Sequence, residues 1–251
     1  MVQKENEGCV EVYVLAPGIR ISFNQINTSS WPKGDSSFFP ERMLTLNFCI
    51  GGRCDVSLAQ NRYAIVKEQQ VCVSTIRPTK DFYYPGKHYY GIQFYLDLSE
   101  LERCGGQDFL TLLGIPLCQL RDIFCGADGL YLHHMNDAML SLVQDTWASR
   151  EELDFGQLRY FMVRLLHELL TMPSESESAA CFTRSQIAIV REAEALILSD
   201  LSKRVTAREM AERFGISESS FKFYVKGILG ESYLAYFRRK RMKKAAAMLE
   251  S

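Results

Sequence analysis

The residues with the most evident chemistry are cations near the end of the sequence, where six of the seven residues from Arg238 to Lys244 are lysine or arginine. Cations this dense suit the phosphates of a nucleic acid, which set affinity and register but carry no base sequence. A basic helix can also be a solvated face that binds nothing, so the neighbouring segment must decide between the two. We expect phosphate contacts from seven cations: Arg208, Arg238, Arg239, Lys240, Arg241, Lys243 and Lys244.

Upstream of these cations, one segment carries polar and aromatic side chains on a single helical face. Phe221 and Val225 are one helical turn apart and predict the buried face, so the side chains between them point outward. Outward groups can meet base edges in the major groove, where polar groups form hydrogen bonds and apolar groups touch the thymine methyl. The candidates for base reading are Glu218, Ser219, Lys222, Phe223 and Lys226.

Residues that could support catalysis form no recognisable set. His167 and Glu168 begin like the zinc-protease helix motif, but the second histidine is missing. His133 and His134 are adjacent and point to different helix faces, and His88 stands alone among tyrosines. No phosphate loop, nucleophile elbow or dinucleotide fingerprint occurs. We therefore predict that the protein is not an enzyme and has no catalytic residues, metal site or cofactor.

The composition excludes several broad classes of protein. The 251 residues are 47% hydrophobic and 24% charged, which is ordinary for a globular protein and excludes disordered and fibrous chains. The eight cysteines show no C-x-x-C spacing, so we expect free, mostly buried thiols. The polar start and the lack of a long apolar run predict a soluble, cytoplasmic protein with no membrane partner.

The elements that would position the base-reading and phosphate-binding residues form the pattern of a helix-turn-helix. Thr206 and Glu209 have the spacing of a capping box at the start of a short helix. Gly215 supplies the left-handed residue that ends this helix, and Ser217 can cap the next one. Two short capped helices around a glycine turn indicate a helix-turn-helix. A third helix, about 233–249, carries the cations.

The first hundred residues alternate between apolar and polar side chains, as β-strands do. Residues 9–14, 19–23 and 44–50 alternate at period two. The Gly51-Gly52-Arg53 sequence predicts a turn before the next strand, 54–58. Many short strands joined by close turns indicate an antiparallel sandwich or barrel and argue against a doubly wound nucleotide-binding fold.

Helical periodicity begins near residue 98, with two longer helices expected at about 130–149 and 154–172. The second of these carries apolar residues at a heptad-like spacing of four and three. They can either dock onto the barrel or pair with a second copy of the chain, and packing within one chain is the commoner explanation. These candidate dimer-seam residues are Leu158, Met162, Leu165, Leu169 and Met172.

Charge changes sign along the chain. Residues 1–180 contain 15 Lys and Arg against 22 Asp and Glu, whereas residues 181–251 contain 14 against 8. The change coincides with a polar, aperiodic segment that we interpret as a linker. The predicted divisions are a barrel at 1–97, a helical dimerisation or packing segment at 98–172, the linker at 173–183 and a DNA-binding segment at 184–251.

The final segment resembles the DNA-binding domain of the AraC/XylS family of transcription regulators. The resemblance covers about residues 184–251 and is specific in the order and spacing of its residues. Those residues are Ser217, Ser219, Phe221, Lys226, Gly230, Ser232, Tyr236, Arg241, Met242, Ala245, Met248 and Leu249. The upstream half resembles the family's sensor domain in layout, with a looser match around 46–76: a cupin-like barrel followed by helices that pair two chains.

The resemblance implies an α+β protein: an N-terminal antiparallel cupin-like β-barrel with a helical hairpin, then an all-α helix-turn-helix segment. It also implies double-stranded DNA, a small-molecule effector, a homodimer and RNA polymerase as partners. The barrel's aromatic residues are candidates for the effector cavity, but no effector residue can be chosen among them. Those aromatics are Trp31, Phe38, Phe39, Phe82, Tyr83, Tyr84, Tyr89, Tyr90, Phe94 and Tyr95.

Three departures from the family pattern concern the DNA-binding segment. The family has two helix-turn-helix units joined by a long helix, and we expect only the first unit and the joining helix here, which is half of the DNA reader. Phe223 stands where a basic residue is usual, and Val225 where an aromatic is usual. Gly227 weakens the recognition helix by about 1 kcal/mol relative to alanine.

Two other functions remain open at this point. Phe223, Gly227 and the missing second unit favour a sensor or dimeric scaffold that does not bind DNA. A cupin metalloenzyme is the third possibility, and stoichiometric iron, manganese or zinc in the purified protein would support it. The sequence does not distinguish an activator from a repressor.

Overall fold

The chain folds into two compact units, residues 1–60 with 64–180 and residues 61–63 with 181–251. We call them the barrel unit and the helical unit. The structure, a computed structural model, describes residues 2–4, 7–31, 40–58, 62–79, 81–126, 129–176, 181–203 and 205–249. The expected α+β class, an antiparallel barrel with a helical hairpin followed by an all-α segment, is confirmed. None of the described helices combines the length and apolarity needed to cross a membrane.

The barrel unit is built on antiparallel strands. In chain order they are β1 (Val2–Lys4), β2 (Gly8–Ala16), β3 (Ile19–Ile26), β4 (Ser30–Trp31), β5 (Met43–Ser57), β6 (Arg62–Lys67, whose first two residues belong to the helical unit), β7 (Gln70–Ser74), β8 (Phe82–Tyr83), β9 (Tyr89–Asp97) and β10 (Leu130–His134). β9 lies between β3 and β5, and the long β5 also pairs with β7 and β8. Because β5 pairs with several strands along its length, it holds the barrel together.

Alternation along β5 separates two environments. Leu44, Leu46 and Phe48 are fully buried and pack into a core shared with the helices of the barrel unit. Thr45 and Asn47 point to the opposite face and line an internal cavity. Successive side chains of a strand face opposite sides of a sheet. The period-two pattern therefore places an apolar core on one face of β5 and the polar side chains that line the cavity on the other.

The turn expected at 51–53 is wrong, because β5 continues through it. The register with β9 shifts by one residue between Cys49 and Gly51, which is a β-bulge. Gly52 has a φ of +84°, and a Cβ atom there would collide with the backbone carbonyl of His88 on the approach to β9. The two glycines therefore bend one continuous strand.

The helices of the barrel unit follow β9. They are α1 (Leu98–Arg103), α2 (Gly106–Leu112), α3 (Leu117–Cys125), α4 (Asp137–Ser149) and α5 (Phe155–Leu170). The helix expected over 130–149 is wrong in its first part, because 130–134 form β10 and pair with β7. A short apolar run does not by itself distinguish strand from helix. The helix begins only where Asn136 accepts a hydrogen bond from the Met139 amide at 2.8 Å.

The heptad-like residues of α5 lie in the core of their own chain, which is the first of the two alternatives. Phe161 packs against Phe94 of β9 with ring centroids 5.8 Å apart, and Arg159 Nε donates to the carbonyl of Leu15 at 2.8 Å. We therefore do not assign the heptad-like residues to a dimer interface. All of them are at most 8% exposed: Leu158, Met162, Leu165, Leu169 and Met172.

The linker expected at 173–183 has structured parts at both ends. Ser176 Oγ donates to the Leu132 carbonyl at 2.9 Å and accepts from the Leu132 amide at 3.1 Å, which ties 173–176 to β10. Residues 177–180 lie outside the described residues, and 181–183 form a short strand.

The helical unit contains β11 (Cys181–Thr183), α6 (Arg184–Ser199), α7 (Ala207–Arg213), α8 (Glu218–Leu229) and α9 (Tyr233–Leu249). Thr183 caps α6 with the same reciprocal hydrogen bonds that the sequence predicts for α7. Ile187, Val190 and Ile197 of α6 are buried, whereas Leu196 and Leu201 are half-buried. The unit is therefore a small helical domain with its own core.

Candidate nucleic-acid interface and barrel cavity

α7 and α8 form a capped helix pair joined by a tight turn. Thr206 Oγ1 accepts from the Glu209 amide at 3.2 Å, and the Glu209 carboxylate accepts from the Thr206 amide at 2.7 Å. These bonds complete the expected capping box and lower the pKa of Glu209. Gly215 adopts a φ of +64°, and Ser217 Oγ accepts from the Ser220 amide at 3.1 Å. The local signals therefore act where the sequence predicts them.

The inner face of α8 is apolar and fixes how the helix is presented. Phe221, Val225 and Ile228 are buried, and Ala211 of α7 is small enough to let the two helices approach closely. The ring of Tyr233 in α9 meets the Phe221 ring edge-on at 5.5 Å. Because this face is fully used for packing, the opposite face of α8 is the one available to a partner.

The five candidate base-reading residues lie together on the outer face of α8. Ser219, Lys222, Phe223 and Lys226 are exposed, and Glu218 is half-buried. Lys222 Nζ lies 2.6 Å from Glu218 Oε1, so these two side chains neutralise each other in the structure. Lys226 also has an interaction partner. The face combines hydroxyl, ammonium, carboxylate and aromatic groups, all of which can contact base edges.

A contact that the sequence does not indicate supports this face. Phe182 of β11 is 5% exposed, and its ring covers Gly227 of α8 and lies 6.1 Å from the ring of Phe223. A Cβ atom at position 227 would collide with the Phe182 ring. Gly227 is therefore needed for packing, and a glycine inside a helix was the only signal of it.

Three cations of α9 are available to an anion. Arg238, Lys243 and Lys244 are exposed, and no hydrogen bond or ion pair joins them to any residue in the described part of the chain. The three residues lie within two turns of α9. This helix therefore presents three positive charges over a short length, where phosphates of a nucleic acid could bind.

The other four predicted phosphate ligands have partners inside the helical unit. Arg239 Nε lies 2.9 Å from Glu231 Oε1, and Arg208 Nε lies 3.0 Å from Glu212 Oε1. Lys240 lies over an aromatic ring with its ammonium 5.2 Å from the ring centroid. These three can contribute positive potential, but a phosphate must compete with the existing partner.

Arg241 has a structural role. Its guanidinium donates to the carbonyls of Leu201 and Ser202 at 2.6 and 2.8 Å, and it lies 5.1 Å from the ring centroid of Phe237. These contacts attach α9 to the segment that follows α6. Some of the basic residues therefore hold α9 against the rest of the helical unit, whereas others face solvent.

A cavity of about 220 Å³ lies inside the barrel unit. Alternate residues of several strands line it, and five of the aromatic residues singled out in the sequence contribute rings. Those five are Trp31, Phe82, Tyr84, Tyr89 and Tyr95. Tyr83, Tyr90 and Phe94 do not line it, and Phe38 and Phe39 lie outside the described residues.

Three tyrosines and one cysteine of the cavity wall are neutral near pH 7. Burial raises the pKa of Tyr84, Tyr89 and Cys54 well above their usual values and that of Tyr95 to about 12. The Tyr89 hydroxyl donates to Asn47 Oδ1 at 2.6 Å. The wall therefore offers hydrogen bonds without charge.

The histidine motifs considered for catalysis are not brought together. His167 is exposed on α5, while His133 and His134 lie on β10 and point to opposite sides of the strand. Among the described residues, no cluster of three or more His, Cys, Asp or Glu side chains could hold a metal ion.

Comparisons with known proteins give similarity without a shared family. No protein-family model matches the sequence, and no curated protein matches it. Similar solved structures include the AraC-like transcriptional activator CuxR, at 12% identity and a TM-score of 0.39 over 94% of this chain and 79% of that chain. ToxT from Vibrio cholerae matches at 8% identity and a TM-score of 0.37 over 92% and 83%.

A barrel protein is also similar to part of the chain. A Cupin 2 conserved barrel domain protein from Salinispora arenicola matches 40% of this chain and 85% of its own, at 11% identity and a TM-score of 0.31. Identities and TM-scores this low assign neither a family nor an activity to the chain.

Proposed function

We propose that the protein is a sequence-specific DNA-binding transcription regulator whose activity depends on a small molecule in the barrel cavity. The observation that carries the proposal is the exposed outer face of α8, in a unit whose helix α9 exposes three cations that have no ion pair within the described part of the chain. Cations on phosphates supply affinity and register, and side chains in the major groove supply specificity. The protein acts in the cytoplasm as a homodimer, in which two copies of the α7–α8 pair bind one duplex and the first contact raises the effective concentration of the second.

Effector control is proposed to work as a shift between populations. A ligand that binds the barrel unit more tightly in one arrangement of the chain favours that arrangement. The affinity for DNA then changes by the coupling free energy, typically 1–3 kcal/mol. The coupling requires both sites in the full chain, so it is measured on the full chain.

The test is fluorescence anisotropy of the full chain on duplex DNA from upstream of its own gene and on a scrambled duplex, over a series of salt concentrations. We expect tighter binding to the native duplex, and a preference that persists as salt rises. Equal and steeply salt-dependent binding to both duplexes would mean that only phosphates are contacted. Binding to neither would overturn the proposal and favour a sensor or scaffold.

A further inference from the structure

A row of polar side chains crosses the cavity wall. Gln93 of β9 lies opposite Asn47 of β5, and Asn47 lies opposite Cys72 of β7. The next row places Thr45 opposite Ser74, and all five residues line the cavity. Side chains directly opposite each other on neighbouring strands lie about 5 Å apart. The sheet therefore presents a continuous polar strip to an otherwise apolar interior.

Three carboxamides line the cavity, Asn47 and Gln93 of this strip and Asn24 of β3, and they have unused hydrogen-bonding capacity. Within the described part of the chain, no hydrogen bond holds the side-chain amides of Gln93 and Asn24, and Asn24 is only 7% exposed. Asn47 accepts from Tyr89 through its oxygen, so its NH₂ group remains a donor. Neither the Gln93 nor the Asn24 amide is completely enclosed by protein atoms, so a molecule bound in the cavity can pair with them.

The hydroxyl groups of the strip are already satisfied. Thr45 Oγ1 donates to the Ser74 carbonyl at 3.1 Å. Ser74 Oγ donates to the Ile76 carbonyl at 3.3 Å and accepts from the Ile76 amide at 3.0 Å. The amides, and not the hydroxyls, are therefore the groups left to meet a ligand.

No Lys, Arg, His, Asp or Glu is among the described residues that line the cavity. Arg20 lies opposite Tyr95 on the neighbouring strand, but it does not line the cavity and has a partner of its own. A charged ligand would lose its hydration without gaining a counter-charge from the described lining, which weakens its binding. The wall thus selects against carboxylates and ammonium ions.

The volume limits the size of the ligand. A dry cavity of about 150 Å³ holds benzene, so about 220 Å³ accommodates one ring with a substituent.

From these observations we infer that the cavity binds an uncharged, single-ring-sized organic molecule whose hydrogen-bond acceptor, such as a carbonyl oxygen, faces Asn24, Asn47 and Gln93. The apolar part packs against the aromatic wall. The binding of such a molecule does not depend on the proposed function. Only its role as the effector of the regulator rests on that proposal.

The test uses tryptophan emission from the full chain carrying Trp147→Phe, which leaves cavity-lining Trp31 as the single tryptophan. Benzamide, benzoate and benzylamine are titrated at pH 7.5 as probes of equal ring size and different charge. We expect saturable binding of benzamide in the millimolar range, with benzoate and benzylamine at least tenfold weaker. Equal binding of benzoate, or no binding of benzamide, would overturn the inference.

A variant tests the carboxamide directly. Gln93→Met preserves the length of the side chain but removes its amide, so benzamide should bind at least fivefold more weakly while toluene, which has no acceptor, binds as before. Gln25→Leu, an exposed glutamine on β3, serves as the matched control and should change neither. Toluene also reports on folding of the variant. Unchanged benzamide affinity in Gln93→Met, or a wild-type chain that prefers toluene to benzamide, would contradict the assigned polar contact.

The same samples separate this inference from the proposed function. DNA anisotropy is recorded beside Trp31 emission at each benzamide concentration. Binding of benzamide without a change in DNA affinity would refute effector control by such ligands but leave the cavity assignment intact. A cavity that binds no benzamide in a chain that binds its native duplex would refute only the ligand class.

Discussion

At the scale of single residues, the contact between Gly227 and Phe182 explains a glycine that otherwise only weakens a helix. Alanine is favoured over glycine inside a helix by about 1 kcal/mol, but the Phe182 ring occupies the space that a methyl group would need. The contact also supports Phe223, which is 51% exposed on the face assigned to DNA. The ring of Phe182 therefore both packs against α8 and supports the exposed side chain of Phe223.

The Gly227→Ala change should destabilise the protein by about 1–2 kcal/mol, because overpacking outweighs the gain in helix propensity. Urea unfolding measures this loss. In a Phe182→Ala background the clash is absent, so the same change should be neutral or stabilising. A stabilising Gly227→Ala in the wild-type chain would show that the ring gives way without cost.

Arg238 and Arg241 provide a matched pair that separates binding from stability. Arg241→Ala removes two hydrogen bonds to backbone carbonyls and should lower the free energy of unfolding by about 1 kcal/mol. Arg238→Ala should leave stability within about 0.5 kcal/mol but weaken DNA binding and reduce its salt slope by about one. Unfolding curves and anisotropy, read on both variants, check the division. An Arg238→Ala chain with wild-type DNA affinity would contradict it.

Tyr95 should make stability fall at high pH. Its pKa is about 12 in the folded chain and near 10 when unfolded, so folding favours the neutral hydroxyl. The contribution is complete below pH 10 and is lost as the pH rises from 10 towards 12, at about 1 kcal/mol per pH unit. Urea unfolding of wild type and Tyr95→Phe at pH 9, 10 and 11 measures the difference. Parallel pH dependences for the two chains would exclude this contribution.

At the scale of elements, locally determined features were predictable and partner-dependent ones were not. The caps at Thr206 and Ser217 need only residues three positions away, so the sequence alone is sufficient to place them. The bulge at Gly51 depends on β9, and β10 depends on β7. The contact of Phe182 with Gly227 joins residues 45 positions apart, and the glycine inside α8 does not show which residue it contacts.

The capping residues should matter more for stability than for recognition. Ser217→Ala removes the hydrogen bond to the Ser220 amide and should cost about 1 kcal/mol. The loss should appear in unfolding curves, while affinity for DNA changes less than threefold in conditions where the protein stays folded. Ser99→Ala, an exposed serine in the first turn of α1 whose hydroxyl makes no hydrogen bond within the described part of the chain, is the control. A cap variant as stable as wild type would indicate that another group replaces the serine.

At the scale of the whole molecule, the two units differ in charge, and the cavity lies in the barrel unit. The excess of cations lies in residues 181–251 and the excess of anions in residues 1–180, so a polyanion is attracted mainly to the helical unit. The barrel unit contains a neutral cavity of about 220 Å³. The charge asymmetry can be counted from the sequence. The residues that line the cavity depend on how several strands pair, so no local sequence pattern identifies them.

Contact between the outer face of α8 and DNA is measured by chemical-shift mapping of the ¹⁵N-labelled chain on its upstream duplex. We expect the largest amide shifts at 218–226, with further shifts at 238–244. Those in α8 should be smaller on a scrambled duplex, while those in α9 should persist because phosphates are common to both. Shifts confined to other elements, or none at duplex concentrations that saturate anisotropy, would show that α8 does not contact DNA.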